Sequence, residues 1–306
     1  MMKQSPKVIF FGNERLATGV TTTAPTLSAL ISEGYDVAAV VINNDRAVSR
    51  NSRRIEVIDI ANQHNIPVLV PDRLMDIKQQ LADFQAEIGV LVAYGKIVPE
   101  EIIGLFPKGI VNIHPSKLPK HRGPTPIESV LLSGEAETAV SLMKLVKAMD
   151  AGPVYAQQTI PVPNKITKQE LVNEVQKIGS KMIVQHLPGI LSGALAPDVQ
   201  DHSQASYDAL LSAKDSVVDW SKSASVLERE IRAFAGWPKS TAQIGKQQVI
   251  LHQVDVVKTS GNPGEFESTK KELVVYCGED ALKILRLQPL NKKEMPVEAF
   301  LAGYPL

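Results

Sequence analysis

The first half of the chain alternates short apolar runs with helix-length amphipathic segments, and that alternation leaves few folds open to it. Val8-Ile9-Phe10-Phe11, closed by Gly12, is long enough for a strand covered on both faces and too short for a helix. Pro25 suits the first turn of a helix carrying Leu27, Leu30 and Ile31, and Gly34 suits its end. Val37–Ile42 is the next strand, and residues 55–63 form a second helix. Ile66–Val70, Ile88–Ala93 and Gly109–His114 are further strands, with another helix before Ile88. Strands separated by helices at this spacing predict an α/β fold: a doubly wound, mostly parallel, Rossmann-like sheet with right-handed crossovers. Such sheets bind ligands beyond the carboxyl ends of their strands.

After Asp150 the pattern changes. Thr138–Leu145 and Val154–Val162 read as a hairpin added to the sheet. Thr167-Lys168-Gln169-Glu170 is a capping box that opens a helix carrying Leu171, Val175, Ile178 and Met182, expected to break before Pro188. Beyond it, short β-like runs at Gln248–Leu251, Leu273–Cys277 and Ala281–Leu287 are separated by turns such as Gly261-Asn262-Pro263-Gly264. This spacing predicts a smaller C-terminal β-barrel, OB-like domain. The expected organisation is a domain at 1–188, a linker at 189–206 and the barrel at 207–306, in keeping with 306 residues being about twice a typical domain of ~150.

Composition narrows the function classes. The 33 Lys+Arg against 33 Asp+Glu leave no global charge to hold a nucleic acid. Residues 209–306, with 13 basic and 12 acidic side chains, add no regional one. A local excess does exist at residues 43–54, where Arg46, Arg50, Arg53 and Arg54 face Asp45 alone. That loop follows a strand's carboxyl end, so it reads either as a ligand-facing cation cluster or as a solvated lead into the next helix. Cys277 is the only cysteine, which excludes a disulfide framework, and no His/Cys cluster has metal-ligand spacing. Gly12-Asn13-Glu14-Arg15 is not a Gly-x-Gly-x-x-Gly fingerprint, which argues against a nicotinamide enzyme. With no apolar run of spanning length and no leader-like N-terminus, a cytoplasmic protein without metal or membrane partner is expected.

The chemistry concentrates in Asn112-Ile113-His114-Pro115-Ser116-Lys117-Leu118-Pro119-Lys120-His121-Arg122-Gly123. Asn112 and His114 are two apart on a strand, so both side chains leave one face where the strand yields to a Pro/Gly-rich loop. A carboxamide and an imidazole together can polarise a carbonyl and handle a proton, and Asp150 on a later loop could orient the imidazole. Taken alone, the pair reads more readily as a turn residue and a hydrogen-bonded strand-end histidine. Lys117, Lys120, His121 and Arg122 read either as anion-binding cations or, for Arg122, as a tie holding the turn. Tyr94 reads as pocket wall or core, and Trp220 and Trp237 as packing residues.

The pattern Asn-x-His-x-Ser-x-Leu-Pro-x-x-Arg-Gly-x-x-Pro-Ile, followed by Asp-x-Gly, resembles the signature of the folate-dependent formyltransferases. Ala93–Pro99 resembles their folate-lining segment. Val218-Asp219-Trp220-Ser221, Ile231–Pro238 and Leu287-Gln288-Pro289 resemble their C-terminal domain, and Arg122–Glu128 is closest to the branch that acts on methionyl-tRNA. The resemblance implies formyl transfer from 10-formyltetrahydrofolate to the α-amino group of methionyl-initiator tRNA by a monomer. An amino-sugar N-formyltransferase is the alternative. It implies Asn112, His114 and Asp150 as catalytic residues. Ser116, Lys117, Leu118, Pro119, Tyr94 and Gly95 would bind the folate, and Arg46, Arg50, Arg53 and Arg54 the tRNA. The basic loop is shorter than in that family and lacks its Gly and Pro.

Overall fold

Seven strands form the first sheet: β1 (Lys7–Phe11), β2 (Asp36–Val41), β3 (Val68–Leu69), β4 (Ile88–Leu91), β5 (Ile110–His114), β6 (Glu137–Lys144) and β7 (Val154–Pro161). The computed structural model describes residues 5–43 and 55–306. The order is β3-β2-β1-β4-β5-β6-β7, with β1 to β5 parallel and β6 and β7 added antiparallel as a hairpin. All residues of β4 and β5 are buried, the polar Asn112 and His114 included. The chain builds outward from β1 to β3 and then returns to the other side of β1 for β4. Strand order therefore reverses between β1 and β4, and a crevice opens at their carboxyl ends. The crossovers carry α1 (Pro25–Ser32), α2 (Glu56–Gln63), α3 (Lys78–Asp83) and α4 (Glu100–Ile103), while α5 (Pro126–Ser133) follows β5. The parallel α/β reading is borne out.

Two details depart from the sequence expectation. The helix α6 starts at Lys168, just after Thr167, but runs to Ser192 with Pro188 inside it instead of breaking before that residue. A mid-helix proline costs about 3 kcal/mol. Ile183, Leu187 and Ile190 are buried on one face across it, and burying such side chains contributes about 1.5–3 kcal/mol each, so the helix continues. Gly189–Ser192, expected in a linker, is thus its last turn.

The other departure is at α1, whose start has no capping side chain at the adjacent Ala24. Glu14, distant by a loop, caps it instead: its carboxylate oxygens accept from Thr26 N at 2.9 Å and Leu27 N at 2.8 Å. Gln176 of α6 donates to the Glu14 carbonyl at 2.6 Å. Glu14 is fully buried, and burial pushes its carboxyl up to about 7 against the pull of the two backbone donors.

By packing, the described chain divides into two units. One comprises the chain up to Pro126, Ala136–Val162 and Gln169–Ala209; the other comprises Ile127–Glu135, Pro163–Lys168 and Leu210–Leu306. The second unit holds α7 (Ala224–Ala233), β8 (Ser240–Ile244), β9 (Gln247–Val257), β10 (Phe266–Ser268), β11 (Leu273–Tyr276), β12 (Ala281–Pro289), β13 (Met295–Pro296) and α8 (Val297–Gly303). Its strands form an antiparallel half-barrel in the order β10-β11-β12-β9-β8, with β13 on β12. Leu227 and Ile231 of α7 and Val297 and Phe300 of α8 join Leu251, Leu282 and Leu287 in its core, and Trp220 packs against them. The strand β8 escapes a hydrophobicity reading because two of its three buried residues, Ser240 and Ala242, are small.

Among the described residues no helix is long and apolar enough to cross a membrane. The Glu14 cap yields a prediction with a definite sign. The folded chain holds that proton to higher pH than the unfolded chain, so the stability it contributes is full below about pH 4.5 and is lost as pH rises towards 7. In thermal melts between pH 4 and 8, the pH slopes of wild type and Glu14→Gln should differ most in this window, the wild type losing more stability as pH rises. Parallel curves would remove Glu14 as the source.

Candidate active site

Asn112 and His114 leave the same face of β5 at its carboxyl end, and both are almost fully buried. They line a cavity of about 450 Å³ at the strand-order reversal, walled by the loops after β1 (Asn13, Leu16), β4 (Tyr94, Gly95) and β6 (Met149, Asp150).

Asp150 has to be brought there against the direction of the sheet. Because β6 is antiparallel to β5, its end lies beside the start of β5, and Leu145 N donates to Ile110 O at 2.7 Å. Five residues later the Asp150 carboxylate lies beside His114, at the opposite end of that strand, with Nδ1 3.7 Å from Oδ1. Five residues reach at most about 18 Å and β5 from Ile110 to His114 spans about 13 Å, so Leu145–Asp150 is long enough to return with a bend at Lys147 and Ala148 and a turn at Met149 and Asp150, where Ala151 N donates to Ala148 O at 3.3 Å. The loop ends in tight backbone: Asp150 has φ 47, and a Cβ on Gly152 would lie 1.8 Å from the Lys144 carbonyl oxygen.

Hydrogen-bond directions fix the proton positions. The His114 Nε2 faces the His121 carbonyl at 3.0 Å, and a carbonyl only accepts, so Nε2 carries a proton and donates. The neutral ring therefore presents its lone pair at Nδ1, towards Asp150. A proton arriving at Nδ1 would be shared with that carboxylate. The other carboxylate oxygen is already engaged, since Gly123 N donates to Oδ2 at 2.8 Å. Gly123 has φ 119, and a Cβ there would come within 2.7 Å of the Asp208 carbonyl oxygen, so this donor approaches only as glycine. The Asn112 carboxamide makes no hydrogen bond with the described residues and faces the cavity.

The structure thus brings together Asn112, His114, Asp150, Tyr94 and Gly95. The Tyr94 ring meets Phe11 edge-on at 6.0 Å, and its buried hydroxyl has no partner among the described residues; burial pushes it up to about 12. Ser116, Lys117, Leu118 and Pro119 do not line the cavity. Ser116 is fully buried, its hydroxyl donating to Lys120 O at 2.7 Å and its carbonyl accepting from Ser141 Oγ at 2.7 Å. Lys117 pairs with Glu137 at 2.6 Å on the surface, and the Leu118 carbonyl accepts from Gln157 at 3.1 Å. These four form a self-satisfied turn that shapes the approach to the site. Arg46, Arg50, Arg53 and Arg54 lie outside the described residues. Among the residues that sequence reasoning missed, Asn13 was discoverable from its place after β1, whereas Met149 and Lys147 carried no signal.

Arg122 is buried and turned away from the cavity, and its own turn pairs with the segment Gln200–Asp208. Of its basic neighbours, His121 pairs with Asp208 at 3.1 Å. Among the described residues no group of three or more His, Cys, Asp or Glu side chains is placed to hold a metal ion.

Residues 7–187 match the formyl transferase family model, and residues 210–305 match the model of the formyl transferase C-terminal domain. The chain belongs to the formyl transferase family. This formyl transferase is 35% identical over 305 residues to the methionyl-tRNA formyltransferase of Chloroflexus aurantiacus, covering 97% of this chain and 96% of that protein. It is 33% identical over 303 residues to that of Streptococcus mutans, covering 97% and 95%. Among solved structures, the N-formyltransferase of Helicobacter canadensis, in complex with folinic acid and dTDP-3-aminofucose, superposes with a TM-score of 0.71 at 16% identity, over 95% of this chain and all of that one. HypX of Aquifex aeolicus, in complex with tetrahydrofolic acid, gives 0.64 at 16% identity over 98% of this chain and 47% of that one. At such identities these two likenesses concern the fold alone.

Gly152→Ala should be among the most damaging small substitutions in this formyl transferase. Forcing a methyl group against the Lys144 carbonyl costs about 1–3 kcal/mol or more and displaces the loop that delivers Asp150. Melting temperature and formyl-transfer rate should both fall; a variant with wild-type values would mean the loop has slack that this geometry lacks.

Proposed function

We propose that this enzyme transfers the formyl group of 10-formyltetrahydrofolate to the α-amino group of methionyl-initiator tRNA. The observation that carries the proposal is the 35% identity to a methionyl-tRNA formyltransferase along almost the whole of both chains. The C-terminal family match at 210–305 is consistent with a tRNA-sized acceptor. Part of the same proposal is a division of labour, with catalysis in 1–188 and tRNA contact by 207–306 and by Arg46, Arg50, Arg53 and Arg54.

The cavity fits a folate-type donor. Its volume of about 450 Å³ is that of a small-molecule site, and its walls are mostly apolar with Asn112, His114 and Asp150 among the few polar groups. The donor supplies a formyl group activated by attachment to nitrogen; the protein's task is to hold charge and move one proton. Asn112 donates from its carboxamide to the formyl oxygen as negative charge develops there, and losing one such donor typically costs about 10²–10³-fold in rate. His114 acts through Nδ1, because Nε2 is committed to the His121 carbonyl. Asp150, anchored by Gly123 N through one oxygen, uses the other to hold the proton at Nδ1. A proton leaving the attacking amine can pass to this pair and on to the departing nitrogen.

The test is formyl transfer from 10-formyltetrahydrofolate to methionyl-tRNA, run beside glycinamide ribonucleotide and a nucleotide-linked amino sugar. Preference for methionyl-tRNA is the expected result; preference for a small acceptor would overturn the tRNA assignment. His114→Ala and Asp150→Ala should each lower kcat by at least about 10²-fold with the fold retained. Near wild-type turnover in either variant removes that residue from the proton path. Neutralising Arg50, Arg53 and Arg54 together should weaken tRNA binding and flatten its salt dependence. An unchanged slope would take the loop out of the tRNA interface.

A further inference from the structure

Asp150 is held in place by groups that all lead back to Arg122. The guanidinium is almost wholly buried, and its hydrogen bonds go to neutral partners: Gln200 Oε1 from Nε at 3.2 Å and from one terminal nitrogen at 2.7 Å, His202 Nδ1 at 2.9 Å and the Tyr207 hydroxyl at 2.9 Å. Burying a charge against neutral acceptors is costly, and a neutral side chain would fill the space more cheaply. What the guanidinium supplies is direction. Its nitrogens only donate, so Gln200 must turn its oxygen towards Arg122 and its amide nitrogen the other way. That nitrogen donates to the carbonyls of Asp150 at 2.8 Å and Gly152 at 2.6 Å. Flipping the amide would set nitrogen against guanidinium nitrogen and oxygen against two carbonyl oxygens.

The same arginine precedes Gly123, whose N–H holds Asp150 Oδ2. Main chain and side chain of Asp150, a residue with φ 47 that needs surroundings to fix it, are therefore both anchored through one residue. We propose that Gln200, oriented by Arg122, is a positioning residue for the formyl-transfer reaction, setting the Asp150 carboxylate against His114. This rests on the reading of Asp150 and His114 given under Proposed function. It assigns to the expected linker, residues 189–206, a part in the site.

Gln200→Glu separates the two roles of the side chain. A carboxylate keeps and strengthens the bond to Arg122 but cannot donate to the Asp150 and Gly152 carbonyls. The full-length variant should stay folded, its ion pair with Arg122 opposing the new oxygen–oxygen repulsion at the two carbonyls, while kcat for formyl transfer falls by about 10²-fold with both KM values unchanged. Gln200→Leu, which loses both sets of bonds, should show the same kcat with lower stability. Backbone amide exchange in 146–153 and at Gly123 should quicken in both variants. A Gln200→Glu enzyme with wild-type kcat, or a loss confined to KM, overturns the positioning role, as does unchanged amide exchange. If wild type itself transfers no formyl group, the functional reading fails, and amide exchange alone still decides whether Gln200 holds the Asp150 loop.

Discussion

A sheet that is parallel up to β5 and then turns antiparallel cannot deliver a side chain from the end of β6 to the carboxyl end of β5. The last hydrogen bond of that edge, Leu145 to Ile110, is at the wrong end of the strand. Everything at the site follows from the return path this imposes. Leu145–Asp150 runs back to the crevice through a bend and a turn, Gly152 fits where a Cβ would strike Lys144, and Asp150 takes a left-handed conformation. The loop closes on the turn bond from Ala151 N to Ala148 O, and its end is also pinned from outside, by Gly123 and Gln200.

The fold was legible wherever burial is two-sided. Strands such as β1 and β4 are apolar nearly throughout, so their type emerges from the sequence, and Asn112 and His114 stand out as polar residues towards the end of the buried β5. Legibility fails where the determinant is another part of the chain. Pro188 marks a helix end by its local chemistry, yet Leu187 and Ile190 keep the helix going. Gly189–Ser206 has a linker's composition, yet Gln200 and Ser206 bond into the site-side turn. Glu14 looks like an ordinary loop carboxylate and caps a helix that begins eleven positions later.

Ser116–Pro119 illustrates a second limit. A polar, basic motif beside a catalytic-looking pair suggests ligand contact, but a polar side chain has two ways to be satisfied, and sequence does not say which. Ser116 spends its hydroxyl on Lys120 O, its carbonyl on Ser141, and Lys117 turns to Glu137. The segment thereby becomes a rigid turn that carries the His121 carbonyl to His114 Nε2. Its contribution to the site is exerted through that one acceptor.

That acceptor removes one of the two protonation sites on the imidazole from play. Gly123 does the same for one carboxylate oxygen, and Arg122 for the orientation of Gln200. In each case a backbone or guanidinium group that can only donate, or a carbonyl that can only accept, faces a partner with two possible roles and leaves it one. What stays undecided among these atoms is a single proton between His114 Nδ1 and Asp150 Oδ1, 3.7 Å apart and open to the cavity. That separation is too long for a hydrogen bond, and an incoming amine or a water touching both atoms from the cavity side would complete the bridge. The buried polar scaffolding therefore confines the adaptable chemistry to the cavity-facing atoms of His114 and Asp150, the pair to which the proposed function assigns the proton transfer.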